Sequence, residues 1–467
     1  MRFISNISVT YLYVLVTEKL YYGANTSEAT PRKGIAMRWP LARDRKHALN
    51  LANFDSTTRK KVVIVGAGFA GLSAVETLYR ENFDILLIDR HNFATFQPLL
   101  YQVATAGLNP GDVSFPIRTL LRKYPQVRFR QGELSKLTQE SNLIELEDGS
   151  KIGYDYLILA FGATSNYFGV KGAAEHSHAI YTLDDAVEVR NRIFHQFELA
   201  AAHGITEGCL TFVVVGGGAT GVEMAGASAE LCDRALRTDY TSIPRSLVRV
   251  ILVEQRDRIL EVFDDPLSQY ALEELKRRGV DVMLNSAVNE ITPEKVHLNG
   301  GNEIPYGILI WAAGVGAPAL TATLGLPQGR GGRILVDPDL RVTGCDNIFA
   351  VGDIAAANSK DQIVPQLAQP ALQEGKHAAF QIKSLVANVP TSAFVYKDRG
   401  TMATIGRRAA VAQLRGGVDL TGWLAWMAWL ILHLITLLGA RNKLSVLINW
   451  LWHYVSWGKG PRVILGG

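Results

Sequence analysis

The feature that most constrains this chain is a pattern that occurs twice. Lys61 opens a short continuous apolar run, Val62–Val65, of the kind found in a strand buried on both faces. The glycine turn Gly66-Ala67-Gly68-Phe69-Ala70-Gly71 follows. A helical stretch, Leu72–Arg80, leads to a second apolar strand, Ile85–Ile88, that ends on Asp89. About 150 residues later the order returns, with strand Phe212–Val215, turn Gly216–Gly221, helix Val222–Leu231 and strand Val250–Val253 ending on Glu254. In such a unit the first glycine (Gly66, Gly216) permits a tight turn. The second (Gly68, Gly218) lets the backbone approach a pyrophosphate, and the third (Gly71, Gly221) lets helix pack closely on strand. The helix N-terminus offers unpaired N–H groups and a positive dipole end to phosphates. A single glycine fingerprint is weak evidence, but here strand, turn, helix and acid agree in both copies. The sequence therefore predicts an α/β fold with two Rossmann-type dinucleotide-binding domains.

Two such units imply two dinucleotides. A flavin on the first and a nicotinamide on the second is the natural pairing, because hydride then passes between stacked rings, and two nicotinamides would have no redox partner. Asp89 lies 18 residues beyond Gly71, whereas Glu254 lies 33 beyond Gly221, an excess read as an inserted segment around residues 238–247. A carboxylate at 254 favours a free 2′-hydroxyl, hence NADH over NADPH, with Arg256 placed to soften that preference.

Composition narrows the chemistry. The three cysteines, Cys209, Cys232 and Cys345, form no close pair, which excludes a disulfide framework, a Cys-rich zinc site and a CxxC-type redox centre. The net charge of +4 divides into +6 on residues 1–60, +4 on residues 421–467 and −6 on the body between them. A mildly acidic body with a basic tail does not suit nucleic acid; it suits a body held on an anionic lipid surface. Residues 1–60 show no usable period. The favoured reading is a plain extension, or a start placed too far upstream with Met37 nearer the true one, against a signal peptide or an organelle transit segment.

The tail carries six of the eight tryptophans, Trp423, Trp426, Trp429, Trp450, Trp452 and Trp457. Leu420–Ala440 is 21 residues without a charge, long enough for a transmembrane helix. Spanning helices keep tryptophan near their ends, and here it extends nearly two turns inward. Two consecutive aromatic helices with basic connectors read as an interfacial, monotopic anchor, ahead of a spanning helix or a core hairpin. Half-burial of six tryptophans in lipid contributes on the order of 15 kcal/mol against ~1 kcal/mol per basic residue, so apolar insertion dominates. His433 and His453 read as interface residues rather than proton carriers.

Several stretches resemble the type II NADH:quinone oxidoreductases, single-subunit flavoenzymes that do not pump protons. They are Asp89-Arg90 followed by Thr95-Phe-Gln-Pro-Leu-Leu-Tyr-Gln-Val-Ala-Thr105, then Gly216–Ala227 and Trp311–Val315, then Ala350–Asp353, Ala368–Gly375 and Tyr396–Ala403. Ala219 where proline is common and Ala94 where histidine is usual are modest departures. The resemblance implies that FAD is held by Gly66, Gly68, Phe69, Ala70, Gly71, Asp89, Arg90, Leu134, Gly162, Gly352 and Asp353. It places Ala368 and Gln369 under the isoalloxazine, and Gly216, Gly218, Gly221, Glu254 and Gly314 at NADH. Glu223 would stand near the nicotinamide, Lys397 near flavin and quinone, and Gln369 and Gln373 would offer two amides to a quinone ring. Read by themselves, Asp353 is a helix cap, Glu223 an early-helix acid, the two glutamines a solvated face and Lys397 an exposed loop lysine.

The expected organisation is an extension over 1–60, an FAD domain over 61–200 and 325–390, an NADH domain over 205–324, and a membrane-anchor region over 391–467. The expected partners are NADH, a membrane quinone and an anionic lipid surface, with no nucleic acid; the resemblance also suggests a homodimer. The expected home is the cytoplasmic face of a bacterial cell membrane, with a mitochondrial inner membrane as the alternative. Two rival functions are a sulfide:quinone oxidoreductase, which needs a paired redox cysteine, and a slow NADH-sensing flavoprotein, which needs no lipid-side redox site.

Overall fold

The structure, a computed structural model, describes residues 54, 58–360, 362–455 and 463–464. The readings of the N-terminal extension and of Trp457 lie outside these residues. Along the chain, β1 (Lys60–Val65) runs through the first glycine turn into α1 (Phe69–Leu78), β2 (Phe83–Asp89) and the short helix α2 (Leu100–Ala104). Strands β3 (Val127–Gln131), β4 (Tyr156–Leu159) and β5 (His178–Ala179) precede the long helix α3 (Leu183–His203). The second repeat is β6 (Thr211–Val215), α4 (Ala219–Thr238), β7 (Arg249–Val253), β8 (Val280–Met283) and β9 (Ile308–Trp311). Strand β10 (Ile348–Ala350) and helix α5 (Ala368–Val386) then come before the antiparallel strands β11 (Gly400–Gly406), β12 (Ala409–Leu414) and β13 (Val418–Thr421). The tail helices are α6 (Gly422–Thr436) and α7 (Ala440–Val455).

Two parallel five-stranded sheets result, in the orders β10-β4-β1-β2-β3 and β5-β9-β6-β7-β8. The apolar runs form their centres because a strand covered on both faces has no polar side to show. Val62, Val63 and Ile64 are fully buried, as are Phe212, Val213 and Val214. In each sheet the strand order reverses beside the strand that leads into the glycine turn, β1 or β6, and the turn sits at that switch point, at the carboxyl ends of the strands. By strand pairing the second unit starts at His178, ahead of the 205 expected from the glycine turn. Phe194 and Phe197 of α3 share a core with Phe212 and Val214 of β6.

The long spacing from Gly221 to Glu254 has two sources. Helix α4 has 20 residues where α1 has 10, and the connection from α4 to β7 is longer as well. The inserted segment predicted over 238–247 is therefore only part of the excess.

The tail differs most from expectation. The uncharged stretch is split: Val418–Thr421 is a strand, α6 stops at Thr436, and Gly439 with φ of +78° turns the chain into α7. With 15 residues, α6 is about 22 Å long, well short of a ~30 Å hydrocarbon core. No described helix is long and apolar enough to cross a membrane. Nor do all the tail tryptophans face outward, which corrects the lipid-burial argument above. Trp426, Trp429 and Trp450 are 7%, 1% and 4% exposed, while Trp423 and Trp452 are 56% and 58% exposed. The Trp429 ring packs among Tyr101, Trp450 and, stacked at 3.8 Å, His433.

Polar residues seat α7. The Asn442 amide donates to the carbonyls of Gly111, Asp112 and Ser114, and Ser445 and Asn449 donate to the two oxygens of the buried Asp112 at 2.6 and 2.8 Å. Trp450 Nε1 donates to Gln102 Oε1 at 2.8 Å. Four polar groups at helical spacing thus fasten one face of α7, leaving Leu444, Ile448, Leu451 and Trp452 exposed on the other.

Candidate functional site

The two glycine turns match in detail. Gly66 and Gly216 both have φ of +110°, and a Cβ on either would strike a backbone carbonyl at the end of the neighbouring strand, Ala160 at 2.2 Å or Ala312 at 2.6 Å. A Cβ on Gly71 or Gly221 would lie 1.8 Å from the carbonyl oxygen of its own turn's first glycine. Gly68 and Gly218 are different: a Cβ there meets nothing within 4 Å. Protein packing does not require glycine at these two positions. They keep the space before an uncapped helix N-terminus open, which fits a pyrophosphate brought against the backbone.

Each acid braces its turn. Asp89 accepts from the N–H groups of Ala67 at 2.6 Å and His91 at 2.8 Å; burial nevertheless holds its carboxyl above the usual range. Glu254 accepts from Gly217 at 2.5 Å and Arg256 at 2.9 Å. The Arg256 guanidinium pairs with Glu261, so the carboxylate dominates this end of the second turn. Arg90 is exposed beside Glu133. Leu134 has its side chain in the core with Leu86 and Leu159, which leaves only its main chain for a ligand.

At the carboxyl ends of β4 and β10 the structure joins Gly162, Gly352 and Asp353 through a residue the sequence reading missed. Tyr181 Oη accepts from Ala163 N at 2.9 Å and donates to Asp353 Oδ2 at 3.0 Å. Asp353 is not a helix cap; it lies inside a single 3-10 turn, Gly352–Ile354. Burial raises its carboxyl, against the lowering pull of Tyr181 and Arg333. Beneath it, Glu374 is 1% exposed, accepts from Gly352 N at 2.6 Å and is pushed up to about 8 by burial. Glu374 stands inside the Ala368–Gly375 stretch, but nothing in its spacing told it from a surface acid. Gly352 packs between Ala70 of α1 and Ala371 of α5, which brings the N-terminus of α5, with Ala368 and Gln369, to the first glycine turn.

Gln369 and Gln373 do not behave as a matched pair. Gln373 is committed at both ends, donating to Lys397 O and accepting from Lys397 N, each at 3.0 Å. That corrects the reading of two free amides: Gln373 fixes the loop that presents the exposed Lys397, whereas the Gln369 amide has no hydrogen bond among the described residues.

Glu223, in the second turn of α4, points into a cavity of about 70 Å³ lined by Tyr101, Gln102, Thr404, Trp426, Trp429 and Trp450 among others. It is partly buried and lines this cavity, so it is not an ordinary solvated early-helix acid. Thr404 N donates to its Oε1 at 3.3 Å, and burial pushes the carboxyl up to about 8. The Thr95–Thr105 segment touches both regions, with Gln97 donating to Tyr181 O at 3.4 Å and Tyr101 meeting Thr404 at 2.9 Å. His433, stacked on Trp429, is pushed down to about 4 by burial, so it is neutral at physiological pH.

The pyridine nucleotide-disulphide oxidoreductase family matches residues 60–375, and the NDH2 C-terminal domain matches residues 399–456. Type II NADH:quinone oxidoreductase NdhA of Mycobacterium tuberculosis is 38% identical over 87% of this chain and 89% of its own length. The chain belongs to the type II NADH:quinone oxidoreductases. It is an NADH-oxidising, quinone-reducing flavoenzyme that uses FAD, of the membrane-associated, non-pumping type. A plant relative, the mitochondrial internal alternative NAD(P)H-ubiquinone oxidoreductase A1 of Arabidopsis thaliana, is 32% identical over 85% of this chain and 84% of its own. NDH2 from Plasmodium falciparum, solved in complex with NADH, shares the fold with a TM-score of 0.79 at 22% identity, over 87% of this chain and all of that one. The paired cysteine that a sulfide-oxidising rival needs is missing: all three cysteines are free, and burial pushes the Cys232 thiol up to about 12.

Proposed function

We propose the following division of labour among the residues of this type II enzyme. FAD lies along Gly66, Gly68, Phe69, Ala70 and Gly71, with Asp89 and Arg90 at its ribose end and the Leu134 main chain beside them. Gly162, Gly352 and Asp353, braced by Tyr181 and Glu374, hold its middle, and Ala368 and Gln369 at the N-terminus of α5 meet its ring. NADH lies along Gly216, Gly218 and Gly221, with Glu254 on its ribose and Gly314 closing the site. Bound FAD supplies the two-electron chemistry between NADH and quinone. The protein orients both partners, excludes water, and holds a proton on Glu223, since quinone reduction consumes one more proton than NADH delivers. Gln369 offers its amide to the quinone, while Gln373 orients the loop that carries Lys397.

The observation that carries this reading is the Thr95–Thr105 segment, which joins the Asp353 region to the Glu223 cavity. The units are an FAD domain built on the β1 sheet, an NADH domain built on the β6 sheet, and an anchor region from 391 onward. The visible spectrum of the purified protein tests the whole scheme: flavin absorbance should bleach on NADH addition and return on adding a soluble quinone. Bleaching without return would defeat the quinone assignment.

The tail hairpin rests on an anionic bilayer through Trp423, Leu424, Ile431, Leu444, Ile448, Leu451 and Trp452, all exposed and apolar. Completing the burial of seven such side chains contributes roughly 1 kcal/mol each, against ~1 kcal/mol for a basic residue at the surface. High salt should therefore leave the protein on membranes and detergent should release it; release by salt alone overturns the anchor. The body faces the NADH-bearing side, the cytoplasmic face in a bacterium, and a homodimer is the assembly to seek in detergent.

A further inference from the structure

Four side chains form one continuous hydrogen-bonded series from the tail hairpin to Thr404, whose backbone N–H donates to Glu223. Trp450 Nε1 donates to Gln102 Oε1 at 2.8 Å, and Gln102 Nε2 donates to Tyr101 Oη at 2.9 Å. Tyr101 Oη lies 2.9 Å from Thr404 Oγ1, and Thr404 N donates to Glu223 Oε1 at 3.3 Å. The direction of the second bond follows from the first. An indole N–H only donates, so it fixes the oxygen of the Gln102 amide toward Trp450 and the NH₂ toward Tyr101. Tyr101 Oη then accepts from Gln102 and shares one proton with the Thr404 hydroxyl. The Thr404 residue held in this way donates its N–H to a carboxylate oxygen, a contact that favours the ionised form of that acid.

We propose that Tyr101 and Thr404 are positioning residues for Glu223, held through Gln102 by Trp450, so that the seated tail hairpin sets the proton affinity of this carboxyl group. The proposal rests on the reading of Glu223 given above. No other group nearby takes over the part. Glu230, on the same helix and in the same cavity, accepts from Arg407 N and pairs with Arg234 and Arg278, so its charge is compensated. Arg234 and Arg407 line the cavity, and Arg278, just past the end of the helix Asp265–Arg277, donates to the Arg407 carbonyl. On the hairpin side the nearest titratable group is His433, behind Trp429 and neutral. Tyr101 is the one titratable side chain from α2 in the cavity lining.

The test is an infrared titration of the protonated-carboxyl band in the full-length holoenzyme, with Glu223→Gln identifying which band belongs to Glu223. In Tyr101→Phe and in Thr404→Val, which keep the bulk and the Thr404 backbone N–H, the midpoint of that band should rise by about one pH unit, a tenfold gain in proton affinity. Trp450→Phe should move it in the same direction by less. The alkaline limb of quinone-reductase turnover should shift with the band, while NADH oxidation by ferricyanide, an acceptor that takes no proton, stays at the wild-type rate. Flavin content and melting temperature report which variants are folded. A band present in the wild type, lost in Glu223→Gln and unmoved in folded Tyr101→Phe and Thr404→Val overturns the proposal and leaves the role of Glu223 standing. Full quinone turnover with an intact alkaline limb in Glu223→Gln overturns both.

Discussion

Replacing Gly375 by alanine is expected to cost the enzyme its flavin. A Cβ at this position would lie 2.0 Å from the carbonyl oxygen of Ala70 and 2.7 Å from its carbon, both backbone atoms. A side chain in the way can rotate; a helix backbone has to translate. The helix that would move is α1, whose N-terminus carries the first glycine turn, while the neighbouring Glu374 holds Gly352. Overpacking of this kind costs ~1–3 kcal/mol, and a clash against main chain belongs at the top of that range, lowering the melting temperature by roughly 6–12 °C. Purified Gly375→Ala protein should show a reduced ratio of flavin to protein absorbance, restored only in part by added FAD. Gly68→Ala makes the opposite case. Its Cβ meets no protein atom, so the variant should melt near the wild type when both are stripped of flavin, yet bind FAD weakly because the methyl occupies the approach to the pyrophosphate. A fully flavinylated Gly375→Ala protein with unchanged melting would show that the two helices can part without harm, contrary to this account.

Glu223→Gln is expected to lower quinone-reductase turnover by about 10²-fold or more, the usual scale for loss of a positioned acid or base. The amide keeps the size of the side chain and an oxygen for the Thr404 N–H, so the fold and flavin content should be preserved. Oxidation of NADH by ferricyanide should stay within about twofold of wild type, because that acceptor requires no proton. The wild-type enzyme supplies a second check. Burial holds the Glu223 carboxyl up to about 8, so the group carries its proton below that pH and loses it above. Turnover with quinone should fall as pH rises through this region, and the limb should vanish in the variant. Equal losses with quinone and ferricyanide would instead assign Glu223 to NADH binding.

How much of the site was legible in sequence depended on whether the signal was local. Gly66, Gly68 and Gly71 could be read because a tight turn, an open approach and a close packing contact each demand glycine within six residues. Asp89 and Glu254 followed because an acid at the end of the next strand lies beside that turn in any parallel sheet. Tyr181, Glu374 and Gln102 could not be read. Each acts on a partner far away in sequence: Tyr181 on Asp353, Glu374 on Gly352, Gln102 on Trp450. Gln373 was misread for the same reason, since helical spacing put it on one face with Gln369 but said nothing of the Lys397 backbone that occupies its amide.

The tail marks the boundary between the two kinds of information. Its tryptophans and absence of acids were enough to separate it from the α/β body and to suggest lipid. Period and composition could not say which tryptophans stay dry inside the protein, because burial on one helix is decided by what packs against it. Trp426, Trp429 and Trp450 are covered by the body, whereas Trp423 and Trp452 are left outside. The sequence by itself determined two nucleotide-binding units and their cofactor classes, because backbone conformation and phosphate approach are set by consecutive residues. Only the tertiary structure decided that the tail hairpin packs beside the Glu223 cavity, because a hydrogen bond between Trp450 and Gln102 forms across 348 residues that only folding brings together.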